Sequence, residues 1–236
     1  FQILGDFAGY SNIARGVSKL MGIELNVNFG FPYFVTSPRE FWRHWHISLS
    51  TWLRDYLYIP LGGNRGPRWL TYRNLFLTML LGGLWHGASW NFVVWGALHG
   101  VALAIHRATG AYEPRGRPAM PRLRDAWRVL GTFTLVTLLW VFFRAETLSG
   151  ALDYLRGIFG FPLIGPDAAD WKAHAAIVLP ALLLMGAIDV VDRNRARIQP
   201  LTRWPYALQG AMAGAAVVGL LIFSGGAPAP FIYFQF

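Results

Sequence analysis

The chain has 236 residues, of which 54% are hydrophobic, 16% aromatic and only 14% charged. Ordinary globular proteins carry about 25% charged residues, so this chain cannot clothe a soluble surface, and a lipid bilayer is its expected solvent. The net charge of +9 comes from basic residues set between apolar runs, not gathered on one face. That placement suits the inner face of an anionic membrane and argues against nucleic acid as a partner. Cysteine is absent, which removes disulfides and thiolate chemistry.

The opening FQILGDFAGYSN has neither an initiator methionine nor a signal-peptide pattern. It reads as the start of the C-terminal portion of a single membrane domain, 1–236, whose earlier spans are missing. At SPREFWRHWHISLSTWLRDYLYIPLGG, Ser37 followed by Pro38 and Glu40 spells a capping box with proline at the first helical position. Trp42, Trp45, Leu49, Trp52, Tyr56 and Ile59 recur at spacings of three and four, and Arg43, His46, Ser50 and Arg54 form a second, polar stripe. The pattern predicts one amphipathic helix over 37–60, interfacial or re-entrant, with a heavy aromatic face. Pro60 and GGNRG end it.

Crossing a hydrocarbon core about 30 Å thick takes about 20 helical residues. The candidate spans are 69–85, 89–105, 126–143, 173–191 and 206–223, so the expected fold is all-α and multi-pass transmembrane. Pro180 should kink the fourth span, and Gly210 and Gly214 place small residues for close packing in the fifth. Five arginines in 106–125 and four in 192–204 put those loops on the cytoplasmic side, whereas 144–172 holds four acids and faces out. Arg65, Arg68 and Arg73 then also fall inside, together with the 37–60 helix.

In GGLWHGASWNF, residues 82–92, a histidine stands at the turn between two spans. Ionisable residues at membrane depth face a cavity or a partner. Gly82, Gly83 and Gly87 allow close helix approach, and Ser89 can cap the next helix so that its first amides point to the same spot. A neutral imidazole beside backbone N–H groups is what acyl transfer needs: a base for a hydroxyl and donors for an oxyanion. The plainer reading, a histidine bonded to a backbone carbonyl, uses the same residues. Trp85, Ser89 and Asn91 are the neighbours expected around His86. A serine triad lacks its G-x-S-x-G elbow. His44 and His46 on one helix point about 200° apart and cannot share an ion, so no metal is expected. His99, His106 and His174 read as interfacial anchors.

The blocks DFAGYSNIARG, EFWRHWHISLSTWLRDYLYIPLGGNR, LGGLWHGASWNFVVWGALHG, WVFFRAE and FIYFQF together resemble the membrane-bound O-acyltransferase family. The resemblance is strongest to its bacterial branch, which modifies exported polymers such as alginate, and it runs from the first residue to the last. It implies that His86, in LWHG, is the family's essential histidine. It also implies that His46, in WHISL, is the second characteristic histidine, on the cytoplasmic side of a tunnel. A thioester donor, acetyl-CoA or an acyl carrier, would then enter past the 37–60 helix, with Arg43, Ser50 and Arg54 facing it. The implied acceptor is a polysaccharide hydroxyl, the implied partners are periplasmic acetylation proteins, the setting is the bacterial inner membrane, and no cofactor is bound. A transporter or a non-catalytic scaffold of a polysaccharide-modifying complex is the alternative. A transporter predicts inverted repeats, which the sequence does not display, and gives no reason for the 37–63 block.

Overall fold

The computed structural model describes residues 1–109, 123–160, 179–180, 182–183, 186–187 and 204–223. Every regular element among them is helical: α1 (Gln2–Leu20), α2 (Pro38–His44), α3 (Ile47–Leu53), α4 (Arg68–His86), α5 (Trp90–Ala108), α6 (Ala126–Arg144), α7 (Leu148–Gly160) and α8 (Tyr206–Phe223). A π-helical turn, Arg54–Tyr58, follows α3 directly. The chain divides into two compact units, Phe7–Leu163, and Phe1–Asp6 with Ile164–Phe236. In the latter, the Gln209 side chain holds the start of α8 by donating to the carbonyl of Trp204 at 2.8 Å.

Four of the five expected spans coincide with α4, α5, α6 and α8 to within a few residues. The fifth, 173–191, and most of the basic loops 106–125 and 192–204 lie outside the described residues. Among the described helices, α6 alone is both long and apolar enough to cross a membrane by length and composition, and its 19 residues reach about 28 Å at about 1.5 Å per residue. Helices α4 and α5 are equally long, but Arg68 and Arg73 in one and His99, His106 and Arg107 in the other dilute their apolar character.

The most intimate helix pair is α4 with α5, and glycine is the reason. A Cβ on Gly83 would run into the carbonyl oxygen of Phe92, and one on Gly96 into that of Met79. A Cβ on Gly100 would come within 2.9 Å of the Phe76 backbone. These three positions let the two backbones touch, so α4 and α5 form one rigid pair. The side chain of Asn91, at the start of α5, donates to the carbonyl of Ala145 just past α6 and ties the third helix to them.

The 37–60 segment departs from the single helix the sequence predicts. Ser37 does cap α2, accepting from the Glu40 amide at 3.1 Å, with Pro38 opening the helix. Glu40 reaches one residue further back than a capping box requires, accepting from the amide of Thr36 at 2.7 Å. The helix then stops at His44, and His46 adopts the left-handed conformation, with φ 43°. Residues 28–30 lie alongside this break and satisfy it. Gly30 donates to the carbonyl of His44 at 3.0 Å, and Ile47 donates to that of Asn28 at 2.9 Å. The aromatic stripe is split accordingly. Trp45 and Leu49 are buried, whereas Trp52, Tyr56 and Ile59 remain exposed.

Candidate active site

His86 is the last residue of α4, and Gly87 ends the helix there. Its half-buried ring meets Trp85, Trp95 and Phe143 edge to face, with centroids 5.0, 5.3 and 5.0 Å away. The turn then enters α5, whose cap is Ser89, its hydroxyl accepting from the amide of Asn91 at 3.3 Å. The expected cap is therefore present: Ser89 takes the amide of Asn91 on its hydroxyl and those of Phe92 and Val93 on its carbonyl, a few residues from His86. Asn91 is 2% exposed, and its amide group bonds Ala145, so it acts as a strap between α5 and α6. Trp85 is more than half exposed and contacts both histidines singled out by the sequence, at 5.0 Å from His86 and 6.2 Å from His46.

His46 is buried in a cage made by Phe7, at 4.7 Å and edge-on, and by Trp85. The left-handed turn at His46 is a conformation that costs non-glycine residues about 1–3 kcal/mol. It carries the ring away from the face that Arg43, Ser50 and Arg54 share. That corrects the expected four-residue polar stripe: the break replaces a continuous helical register with two short helices, and His46 lies towards the His86 end of α4. Burial lowers the His46 pKa from 6.5 to about 4, so its ring is neutral at physiological pH.

The remaining stripe residues do converge. Arg43, Ser50 and Arg54 line a cavity of about 940 Å³ together with Arg39, Arg68 and Arg107, at the start of α4 and the end of α5. Five arginines stand in its described lining, so it is rich in cationic side chains. Two of the expected contacts have other partners. The Arg54 fork is engaged by the adjacent Asp55, at 2.7 and 3.0 Å, and the guanidinium holds that carboxyl below the usual range. The Ser50 hydroxyl donates to the carbonyl of Trp45 across the break, at 3.0 Å.

His99 is misread as an interfacial anchor. It is 1% exposed, stacked over Phe41 and edge-on to Trp42 and Trp95. The Trp42 indole N–H, which can only donate, points to His99 Nδ1 at 3.3 Å, so the neutral ring carries its proton on Nε2. Trp95, His99 and Leu103 succeed one another at four-residue spacing on α5, and this run leads from the His86 cluster to the cavity, which Leu103 lines. That spacing, readable in WGALHGVAL, was the available signal.

Comparison with known proteins identifies the family. The family model for MBOAT, the membrane-bound O-acyltransferase family, matches residues 1–145. The chain is 54% identical over 160 residues, 68% of its length, to the probable alginate O-acetylase AlgI of Pseudomonas aeruginosa, of which it covers 30%. It is 48% identical over 160 residues to the peptidoglycan O-acetyltransferase of Helicobacter pylori, covering 68% of this chain and 30% of that one. To the probable alginate O-acetylase AlgI of Pseudomonas fluorescens it is 39% identical over 279 aligned positions, covering all of this chain and 55% of that one. The chain thus spans between about a third and about half of the curated relatives it matches. With matching family blocks, two caged histidines and an all-helical scaffold, the chain belongs to the membrane-bound O-acyltransferase family.

Proposed function

We propose that this chain forms the catalytic portion of a membrane O-acyltransferase that moves an acetyl group from a thioester donor to hydroxyls of an exported, alginate-like polysaccharide. The observation that carries the reading is that His46 and His86, from separate elements, both contact the Trp85 ring. Relatives named for O-acetylation of alginate and of peptidoglycan support the acyl group and the polymer class. The arginine-lined cavity suits the phosphates of acetyl-CoA or the prosthetic arm of an acyl carrier, and the aromatic run along α5 leads from it to His86.

In this mechanism His86 takes the proton of the acceptor hydroxyl, and the oxygen attacks the thioester carbonyl. The new C–O bond forms as C–S breaks, and His86 returns the proton to the departing thiolate. General-base help of this kind contributes roughly 10²–10⁴-fold. The positive end of the α5 helix dipole, which begins at Ser89, favours the developing oxyanion. Helices α4, α5, α6 and α8 cross the bacterial inner membrane with the arginine cavity on the cytoplasmic side, and periplasmic proteins complete delivery to the polymer. No resident cofactor is required.

Replacing His86 with alanine in the intact membrane protein tests this. Polymer acetylation should fall by roughly 100-fold or more while the amount of protein in the membrane stays near normal. Wild-type acetylation in that variant rejects His86 as the base, and with it favours a transporter or scaffold.

A further inference from the structure

The break that turns His46 inward is pinned by two residues with no role assigned so far. Asn28 accepts at its side-chain oxygen from the Ser48 amide at 3.2 Å and from the Ser48 hydroxyl at 2.6 Å. The Ser48 oxygen in turn lies 3.4 Å from His46 Nδ1. A backbone amide only donates, so the Asn28 atom facing it must be the carbonyl oxygen, and the other end of the Asn28 amide donates to Ser11 Oγ at 3.4 Å. That oxygen only accepts, and it lies much nearer the Ser48 hydroxyl than His46 does, so it takes the single hydroxyl proton. What Ser48 then offers His46 is a lone pair. His46 Nδ1 must carry the proton, and in a neutral ring Nε2 is left bare.

We propose that Asn28 and Ser48 are positioning residues that hold His46 in its Nδ1–H form and so present Nε2 as a hydrogen-bond acceptor to the acyl-transfer site. The proposal rests on the acyltransferase reading for its consequence, though not for its geometry. The neutral state of the ring follows from its burial. A bare Nε2 receives an O–H or N–H of a substrate, such as a polymer hydroxyl or an amide of the donor's arm. It cannot stabilise an oxyanion. The cost of the left-handed turn also gains a reason. Only with φ positive at His46 do the Ile47 and Ser48 amides both point at Asn28 while the ring points at Phe7 and Trp85.

The test uses the intact protein in lipid nanodiscs with ring-nitrogen-labelled histidine, the His46 signal being identified by its loss in His46→Gln. Nitrogen NMR reads which ring nitrogen is bare, independently of activity. In the wild type it should be Nε2. Ser48→Ala should move the population towards the Nε2–H form and lower kcat by roughly 10- to 100-fold with donor KM unchanged, whereas Ser48→Thr should restore both. Asn28→Ala should flip the tautomer even with Ser48 in place, because the hydroxyl is then released to donate to Nδ1. A wild-type His46 protonated on Nε2, or a Ser48→Ala variant that loses activity with its tautomer unchanged, overturns the proposal. Should Ser48→Ala fail to accumulate, the wild-type and Ser48→Thr spectra decide alone. Full activity in His46→Gln would refute the role of His46 in transfer while leaving the tautomer assignment standing.

Discussion

His46 shows how a single residue converts burial into a pH dependence. Its folded pKa is about 4 against 6.5 in the unfolded chain. Above 6.5 both states hold a neutral ring and its full contribution to stability is present. As the pH falls from 6.5 towards 4 the unfolded state binds a proton that the folded state refuses, so stability is lost through that window. The thermal midpoint of the detergent-solubilised protein should therefore decline in that range, and less steeply in His46→Gln. Equal slopes for the two proteins would show that burial of this ring is not felt. Acyl transfer should show no acid limb from His46 at neutral pH, leaving His86 to set the pH profile.

Between helices the decisive contacts are backbone to backbone. A methyl at Gly96 would meet the carbonyl of Met79, which cannot swing aside as a side chain would. Gly96→Ala should cost about 1–3 kcal/mol through forced separation of α4 and α5, seen as a lowered thermal midpoint. Activity should fall as well, because Trp95, one residue away, would shift against His86. A variant as stable and active as the wild type would mean that the pair is looser than its spacing indicates. Asn91 is a different case. Its bond to the Ala145 carbonyl joins α5 to α6, and Asn91→Ala should cost about 1–3 kcal/mol by stranding that buried acceptor. Donor KM should stay unchanged, and a raised KM without loss of stability would return Asn91 to the substrate.

For the molecule as a whole, the basic ends of α4 and α5 and the 37–60 segment share one arginine-rich cavity, which suits placement at an anionic cytoplasmic surface. The chain has no cysteine, so single cysteines report cleanly. One replacing Arg65 should resist an impermeant thiol reagent in cells with an intact inner membrane and react once that membrane is opened. One replacing Ser149, at the start of α7, should react from the periplasm. The reverse pattern would invert the orientation and place the cavity where no cytoplasmic thioester could reach it.

The helices at 69–85, 89–105, 126–143 and 206–223, the Ser37 cap and the Ser89 cap were legible in the sequence because each depends on local signals: apolar length, or an oxygen placed two or three residues before the amide it caps. The family was legible too, through blocks such as WHISL and LWHG. The break at His46 was not, because the Gly30 amide satisfies the His44 carbonyl and the Asn28 carbonyl satisfies the Ile47 amide, and helical periodicity carries no record of such distant partners. His99 was misread for the same reason: a histidine on an apolar helix looks the same whether it meets lipid headgroups or an indole from another helix. The sequence by itself determined the helices, their solvent and the chemistry available to them. Only the tertiary structure decided which faces met, since that follows from glycines 83 and 96 admitting a neighbouring backbone and from one left-handed residue turning an imidazole inward.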